Sequence, residues 1–346
     1  AKNGFDGVLV EGWNEGWDGD WTADGSAFSF VKAYPDFNLE EITKYAAVKN
    51  VRLIGHHETA GATKNYENQL EEAFKLYQKM GVNSVKTGYV NKYLDKKEWH
   101  DSQYGARHYR KVIETAAKYH IMIDNHEPMK GTGLQRTYPN FMSQEGGRGQ
   151  EYNAWSVDGG NTPEHLTTLP FTRMLSGPFD YTPGNFNFDY KTPSGAKVQT
   201  TLANQLALYV IIFSPLQMAS DLPENYEGKP EFQFVKDVPC TWSDTKVLDS
   251  KIGEYTTIAR KDWDEKNWYL GSITNRNARD LKVTLSFLDK NKEYEAEIYA
   301  DGAGANYKTN PYPVTISKQK VNSKTILNIK LAAGGGTAVK FTPIEK

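Results

Sequence analysis

Short apolar runs recur along the first two-thirds of the chain, separated by stretches whose apolar residues return at helical spacing. Residues 5–10, 51–57, 84–89 and 121–126 read as strands. Their near-continuous apolar character suits a parallel sheet covered on both faces. Shorter strand candidates follow at residues 140–144, 173–176 and 216–219. Between them, residues 39–49 predict a helix with Asn38 as N-cap. Residues 66–80 carry Leu70, Phe74, Leu76, Tyr77 and Met80 on one face, and Gly81 supplies a stop. Residues 104–119 and 201–212 also read as helices. Alternation of this kind builds an α/β fold with a parallel sheet. About seven β units are present, whereas a closed (β/α)8 TIM barrel needs eight. The first strand is therefore expected upstream, because the chain opens abruptly with Ala-Lys-Asn just before a strand, as a fragment or processed product would.

After about Phe234 the texture changes. Residues 255–261, 268–274, 281–287, 294–300, 313–317, 324–330 and 337–342 are short alternating runs punctuated by Asn, Asp and Gly. This is the pattern of a small antiparallel β-sandwich. The expected division is a catalytic barrel over residues 1–234 and a C-terminal sandwich domain over 235–346.

Composition narrows the function classes. A formal net charge of -2 offers nothing to nucleic acid or to an anionic membrane. No apolar stretch approaches the ~20 residues of a membrane span. Cys240 is the only cysteine, so internal disulfides, cysteine zinc sites and redox pairs are excluded. Eight Trp and 21 Tyr suit sugar rings, whose C–H faces pack on aromatic faces; packing in a core is the alternative use.

The chemistry concentrates where strands should end. Glu58 closes Val51-Arg-Leu-Ile-Gly-His-His-Glu58, Glu127 follows Ile121-Met-Ile-Asp-Asn-His126, and Glu145 and Glu151 flank Gly146-Gly-Arg-Gly-Gln150. Strand ends converge on one mouth in a barrel. Several carboxylates there can split a glycosidic bond, hold a hard cation, or do both. A structural salt bridge is the alternative for any single one. Glu67, Glu71 and Glu72 ride an amphipathic helix and read as a solvated face. His56, His57 and His126 could meet a sugar hydroxyl, a zinc ion or a buried carbonyl. Lys86 ends its strand and could bind substrate or balance the acids. The segment Glu11-Gly-Trp13-Asn-Glu-Gly-Trp17-Asp-Gly-Asp-Trp21 offers either sugar stacking or a packed loop. A phosphate cradle at Gly146–Gly149 is disfavoured, since no Lys-Ser/Thr follows. A tight turn delivering Glu151 to the mouth is the better account.

Taken together, Glu-Gly-Trp-Asn, His-His-Glu-Thr, Asn-His-Glu-Pro and Ser-Gln-Glu-Gly-Gly-Arg-Gly-Gln-Glu-Tyr-Asn-Ala-Trp resemble glycoside hydrolase family 97, over essentially the whole chain. The resemblance implies the C-terminal half of a periplasmic, starch-degrading α-glucosidase, with a large N-terminal β-domain upstream in the same protein. It implies that Glu151 is the general acid and that Glu58 and Glu127 position and activate water. It implies Ca²⁺ held by Glu127, Glu145, Glu151 and a further glutamate of the N-terminal domain. His56, Lys86, His126 and Glu11 match positions around the bound sugar. Retaining relatives place an Asp nucleophile after a Val-Lys-x pattern. Here Val85-Lys86-Thr87-Gly88 has none, which fits inversion and predicts an open space at Gly88. The expected activity is inverting exo-hydrolysis of maltose and malto-oligosaccharides. Two rivals remain: a zinc-dependent barrel hydrolase using His56, His57 and His126, and a non-catalytic oligosaccharide-binding module.

Overall fold

In the computed structural model, which describes residues 1–345, the apolar runs of the first part form a parallel sheet. In chain order the elements are β1 (Gly7–Leu9), α1 (Leu39–Val48), β2 (Arg52–Glu58), α2 (Thr63–Met80) and β3 (Ser84–Gly88). A small hairpin of β4 (Tyr93–Leu94) and β5 (Glu98–Trp99) precedes α3 (Gln103–Lys118), β6 (Met122–Asn125) and β7 (Phe141–Gln144). The strands pair side by side in the order β1-β2-β3-β6-β7. These elements belong to one compact unit, Ala1–Gly146 with Ser176–Pro178.

Local signals explain the helix limits. Asn38 accepts from the Glu41 amide at 3.1 Å and starts α1. Gly81, at φ 74, ends α2 in the left-handed region that glycine tolerates. Tyr66, Leu70, Phe74 and Tyr77 lie on one face of α2 and are fully buried against the sheet. Burial of each such side chain contributes roughly 1.5–3 kcal/mol. The acids of α2 reach α3 instead: Glu67 meets His108 and Lys111, and Glu71 meets Lys118.

The second compact unit comprises Gly147–Leu175 and the chain from Phe179 onward. It holds α4 (Tyr152–Trp155), α5 (Pro163–Thr168), α6 (Leu202–Ile211), α7 (Pro223–Tyr226) and α8 (Phe232–Asp237). Eight strands follow: β8 (Trp242–Lys251), β9 (Tyr255–Asp262), β10 (Trp268–Thr274), β11 (Arg279–Thr284), β12 (Tyr294–Asp301), β13 (Val314–Val321), β14 (Ile326–Leu331) and β15 (Gly336–Pro343). The main sheet runs β13-β12-β15-β10-β9-β8, all antiparallel, and β11 pairs with β14. Leu270, Ala296, Val339 and Phe341 of the first sheet share one core with Val283, Leu327 and Ile329 of the second. That shared core makes the pair a sandwich. The fold class is thus α/β, of barrel type, followed by an antiparallel β-sandwich.

Helix α6 is buried on every side and packs on strands of the main sheet. Two glycines allow the approach. A Cβ at Gly271 would meet the Ala207 carbonyl oxygen at 2.6 Å, and one at Gly336 would meet the Asn204 Cα at 2.5 Å. The N-cap Thr201 also donates to Asp301 Oδ1 at 2.6 Å, while Asp301 Oδ2 accepts from the Ala332 and Gly336 amides. Burial pushes the Asp301 carboxyl up to about 6, against hydrogen bonds that pull it down. A raised folded-state value means the native state holds the proton more tightly. The associated stability is full below the ordinary Asp range and is lost as pH rises through about 6. Asp301→Asn, which keeps an acceptor for both amides, is expected to remove that part of the pH slope in chemical denaturation between pH 4 and 7; an unchanged slope would refute the assignment.

Two strand expectations need correction, and one strand was missed. Residues 173–176 form a 3-10 turn, not a strand, and Leu175 is largely exposed, which a buried parallel strand would not permit. Residues 216–219 pair with no strand and are only partly buried. Strand β8 was not anticipated, because its sequence lacks the alternation of its neighbours.

Candidate active site

The side chains of adjacent β2, β3 and β6 fall into registered rows. His56 pairs with Lys86, and Lys86 with Asp124. One step on, Glu58 pairs with Gly88. Period-two alternation puts these residues on one face and His57 on the other. His57 stacks on Tyr77 with ring centroids 4.8 Å apart, and its Nδ1 meets the Tyr66 hydroxyl at 2.9 Å. Burial lowers its pKa to about 3, so it stays neutral. His57 therefore belongs to the helix-facing core. The zinc triad of His56, His57 and His126 does not converge.

On the other face the polar residues are packed closely. Lys86 is buried and donates to Glu11 Oε1 at 2.7 Å, and His56 Nε2 lies 3.9 Å from the same oxygen. Trp13 donates its indole N–H to the His56 carbonyl at 3.0 Å, and the Trp17 ring sits 5.7 Å from the His56 ring. Trp17 also stacks on Phe28. Trp13 is thus part of the packed loop and fixes β2 from beside it. Asp124, fully buried, lies 3.9 Å from His126 Nε2. It was not singled out in the sequence, although its place two residues before His126 on a strand was the available signal.

Glu58 and Glu127 are held as a pair by the turn after β3. The Val90 and Ala60 amides donate to Glu58 Oε1 at 3.2 and 2.6 Å, and the Tyr89 amide donates to Glu127 Oε2 at 2.8 Å. A Cβ built on Gly88 would fall 1.9 Å from Glu58 Oε2 and 3.6 Å from Glu127 Oε2. The two carboxyl oxygens are therefore no further apart than the sum of those distances. Gly88 does not leave an open space: the Glu58 carboxyl fills it. Burial first, and the neighbouring Glu127 charge second, push the Glu58 pKa up to about 7.

Glu127 itself sits at φ 41, a left-handed backbone that a non-glycine residue adopts at a cost. The Tyr109 hydroxyl at 3.0 Å and the His100 ring hold its carbonyl in place. Its amide donates to Glu145 Oε2 at 3.1 Å, and His126 Nδ1 is 3.8 Å from that oxygen. Glu127 and Glu145, from neighbouring strand ends, supply only hard oxygen donors and fit a calcium-type cation in donor chemistry. Tyr109 and His100 carried no sequence signal, since both act from outside the strands.

Glu151 belongs to the second unit. It is exposed, at the start of α4, and makes no side-chain capping bond. The turn before it is pinned by Arg148, which pairs with Asp158 and lies 4.8 Å over the Tyr152 ring. Gly146 opens this segment at φ 72.

Fold and site define a class: a barrel-type α/β protein with carboxylates at its strand ends, the arrangement used to cleave glycosidic bonds. Comparison with known proteins gives the family. A model described as glycoside hydrolase 97 matches residues 1–147, and one described as glycosyl-hydrolase 97 C-terminal, oligomerisation, matches residues 241–342. The structure of a glycoside hydrolase family 97 enzyme in complex with acarbose, from Pseudoalteromonas sp. strain K8, is 48% identical with a TM-score of 0.96. It aligns over 99% of this chain and 55% of that one. The retaining alpha-galactosidase of Bacteroides thetaiotaomicron is 35% identical over 99% of this chain and 49% of its own length. A beta-arabinopyranosidase, at 21% identity and a TM-score of 0.75, shares the fold. The chain belongs to glycoside hydrolase family 97. It spans about half the length of these relatives.

Proposed function

We propose that the full-length protein is an inverting exo-α-glucosidase acting on maltose and malto-oligosaccharides. The observation that carries this reading is at the end of β3. Where retaining relatives are expected to carry an Asp nucleophile, this chain has Gly88, and the Glu58 carboxyl occupies the place of its side chain. A carboxylate so placed suits a base that activates water better than a nucleophile that forms a covalent intermediate. In this reading Glu151 protonates the leaving oxygen, Glu58 and Glu127 orient and deprotonate water, and Glu11, His56, Lys86 and His126 bind sugar hydroxyls. Glu127, Glu145 and Glu151, with a ligand from an upstream β-domain, would hold Ca²⁺, which supplies a fixed charge that orients substrate and carboxylates.

The choice of α-glucoside rests on the relative at 48% identity. That enzyme was solved with acarbose and, as a glutamate-to-glutamine variant, with panose, a trisaccharide of α-linked glucose. A retaining α-galactosidase is the second reading, favoured by the names of relatives at 35% and 29% identity. It requires a carboxylate nucleophile that the end of β3 does not supply. The same proposal includes an exported, periplasmic protein and a catalytic barrel over residues 1–234 followed by a sandwich over 235–346. It also includes self-association through the C-terminal segment, whose family model is described by that property.

Initial rates on paired glucosides and galactosides test the substrate class. With calcium present, kcat/KM is expected to favour the α-glucoside by about 100-fold or more, because a site built around one hydroxyl leaves polar groups unpaired when its epimer binds. Preference for the galactoside would favour the second reading.

A further inference from the structure

We infer that two copies of this protein associate by pairing β8 with β8 of the second copy, antiparallel, with Lys246 opposite Asp249 and Asp244 opposite Lys251. The inference rests on the proposed self-association and names the surface that performs it.

Strand β8 is one of the two edges of the main sheet, ten residues long, with β13 at the other. Val247, at 63% exposure, is among the most exposed aliphatic residues of the sandwich. An edge of this kind presents unpaired backbone groups to any passing strand, and proteins usually blunt it. Here two bulges, at 242/244 and 247/249, bend it. They make unspecific pairing poor and leave specificity to the side chains.

Those side chains read Asp244-Thr-Lys-Val-Leu-Asp-Ser-Lys251. Laid antiparallel on itself, this run sets Asp against Lys, Thr against Ser and Lys against Asp, with the bulged Val247-Leu248 step at the centre. Sliding one copy by two residues sets Asp244 against Asp249, or Lys246 against Lys251. The charges therefore select one register.

In a regular strand that register would fail. Directly opposed residues must share a face, and residues 246 and 249 would lie on opposite faces. The second bulge removes the conflict. Asp244, Lys246, Asp249 and Lys251 pair with Lys261, Ala259, Thr257 and Tyr255 of β9, alternate residues of one strand, so all four lie on one face. A symmetric contact requires one patch to complement itself, and this patch does. Beside it a groove of about 530 Å³, lined by Lys246 and Asp249 on one side and Lys282 and Phe287 on the other, leaves room for the partner's side chains.

Charge reversal tests the pairing, with the dissociation constant of the full-length protein measured by sedimentation. Lys246→Glu places like charges opposite each other twice across the two-fold axis and is expected to weaken the dimer about tenfold or more. Asp249→Lys should do the same, and the Lys246→Glu/Asp249→Lys double variant should restore it. Lys246 is half exposed and its ion pair is on the surface, so thermal unfolding of the variants should match the parent. A monomer at all concentrations would overturn the self-association and the pairing with it. A dimer indifferent to both reversals would leave self-association standing and overturn this edge, and failure of the double variant to recover would overturn the register.

Discussion

Replacing Glu151 with Gln in the full-length protein is expected to lower kcat on maltose by roughly 10²–10⁴-fold, the range of general acid catalysis. Loss of a calcium-ligand oxygen would add to it. The substitution keeps the side chain's shape. Glu151 makes no capping bond to α4 and is exposed, so folding should be unaffected. The diagnostic is the leaving group. A nitrophenyl glucoside departs with little protonation and should lose far less rate than maltose. An equal loss on both would assign Glu151 to metal binding or substrate positioning and remove it as the acid.

Gly88→Ala is expected to reduce kcat by about 10²-fold or more while leaving the protein folded. Gly88 is in ordinary strand conformation, so its backbone accepts alanine. The new methyl would lie 1.9 Å from Glu58 Oε2, and the carboxyl must move. The motion breaks its bonds from the Ala60 and Val90 amides and misplaces it relative to Glu127. Misplacing a catalytic group by about an ångström costs on the order of 10²-fold. A near-normal rate would mean that Glu58 is not held in a working position by Gly88. Thermal unfolding within a few degrees of the parent would separate this effect from general damage.

The parallel strands and their helices were legible because buried strands and amphipathic helices impose periods of two and 3.6 on apolar residues. The failures came where that pressure is absent. Met174 and Leu175 form an apolar pair, but Leu175 faces solvent. Strand β8 lies at an edge, exposed and bulged, so nothing enforces alternation. At the site, Glu58, Glu127 and Glu145 were visible as strand-end acids, and the structure joins them through the Gly88 contact and the Glu127 amide. His56 and His57 look equivalent in sequence, yet strand alternation gives one to the site and the other to Tyr66 and Tyr77. The glycine at 88 suggested empty space. Only the cross-strand register with Glu58 reveals that the space is filled. The hold of Tyr109 and His100 on the Glu127 carbonyl depends on tertiary contacts, to which local sequence is blind.

Inversion is the central claim, and the anomer released first measures it directly. Proton NMR of the full-length protein acting on maltose, followed from the first seconds before mutarotation mixes the products, should show β-glucose appearing from the non-reducing end. Appearance of α-glucose from that end would establish retention and contradict the assignment of Glu58 as a base.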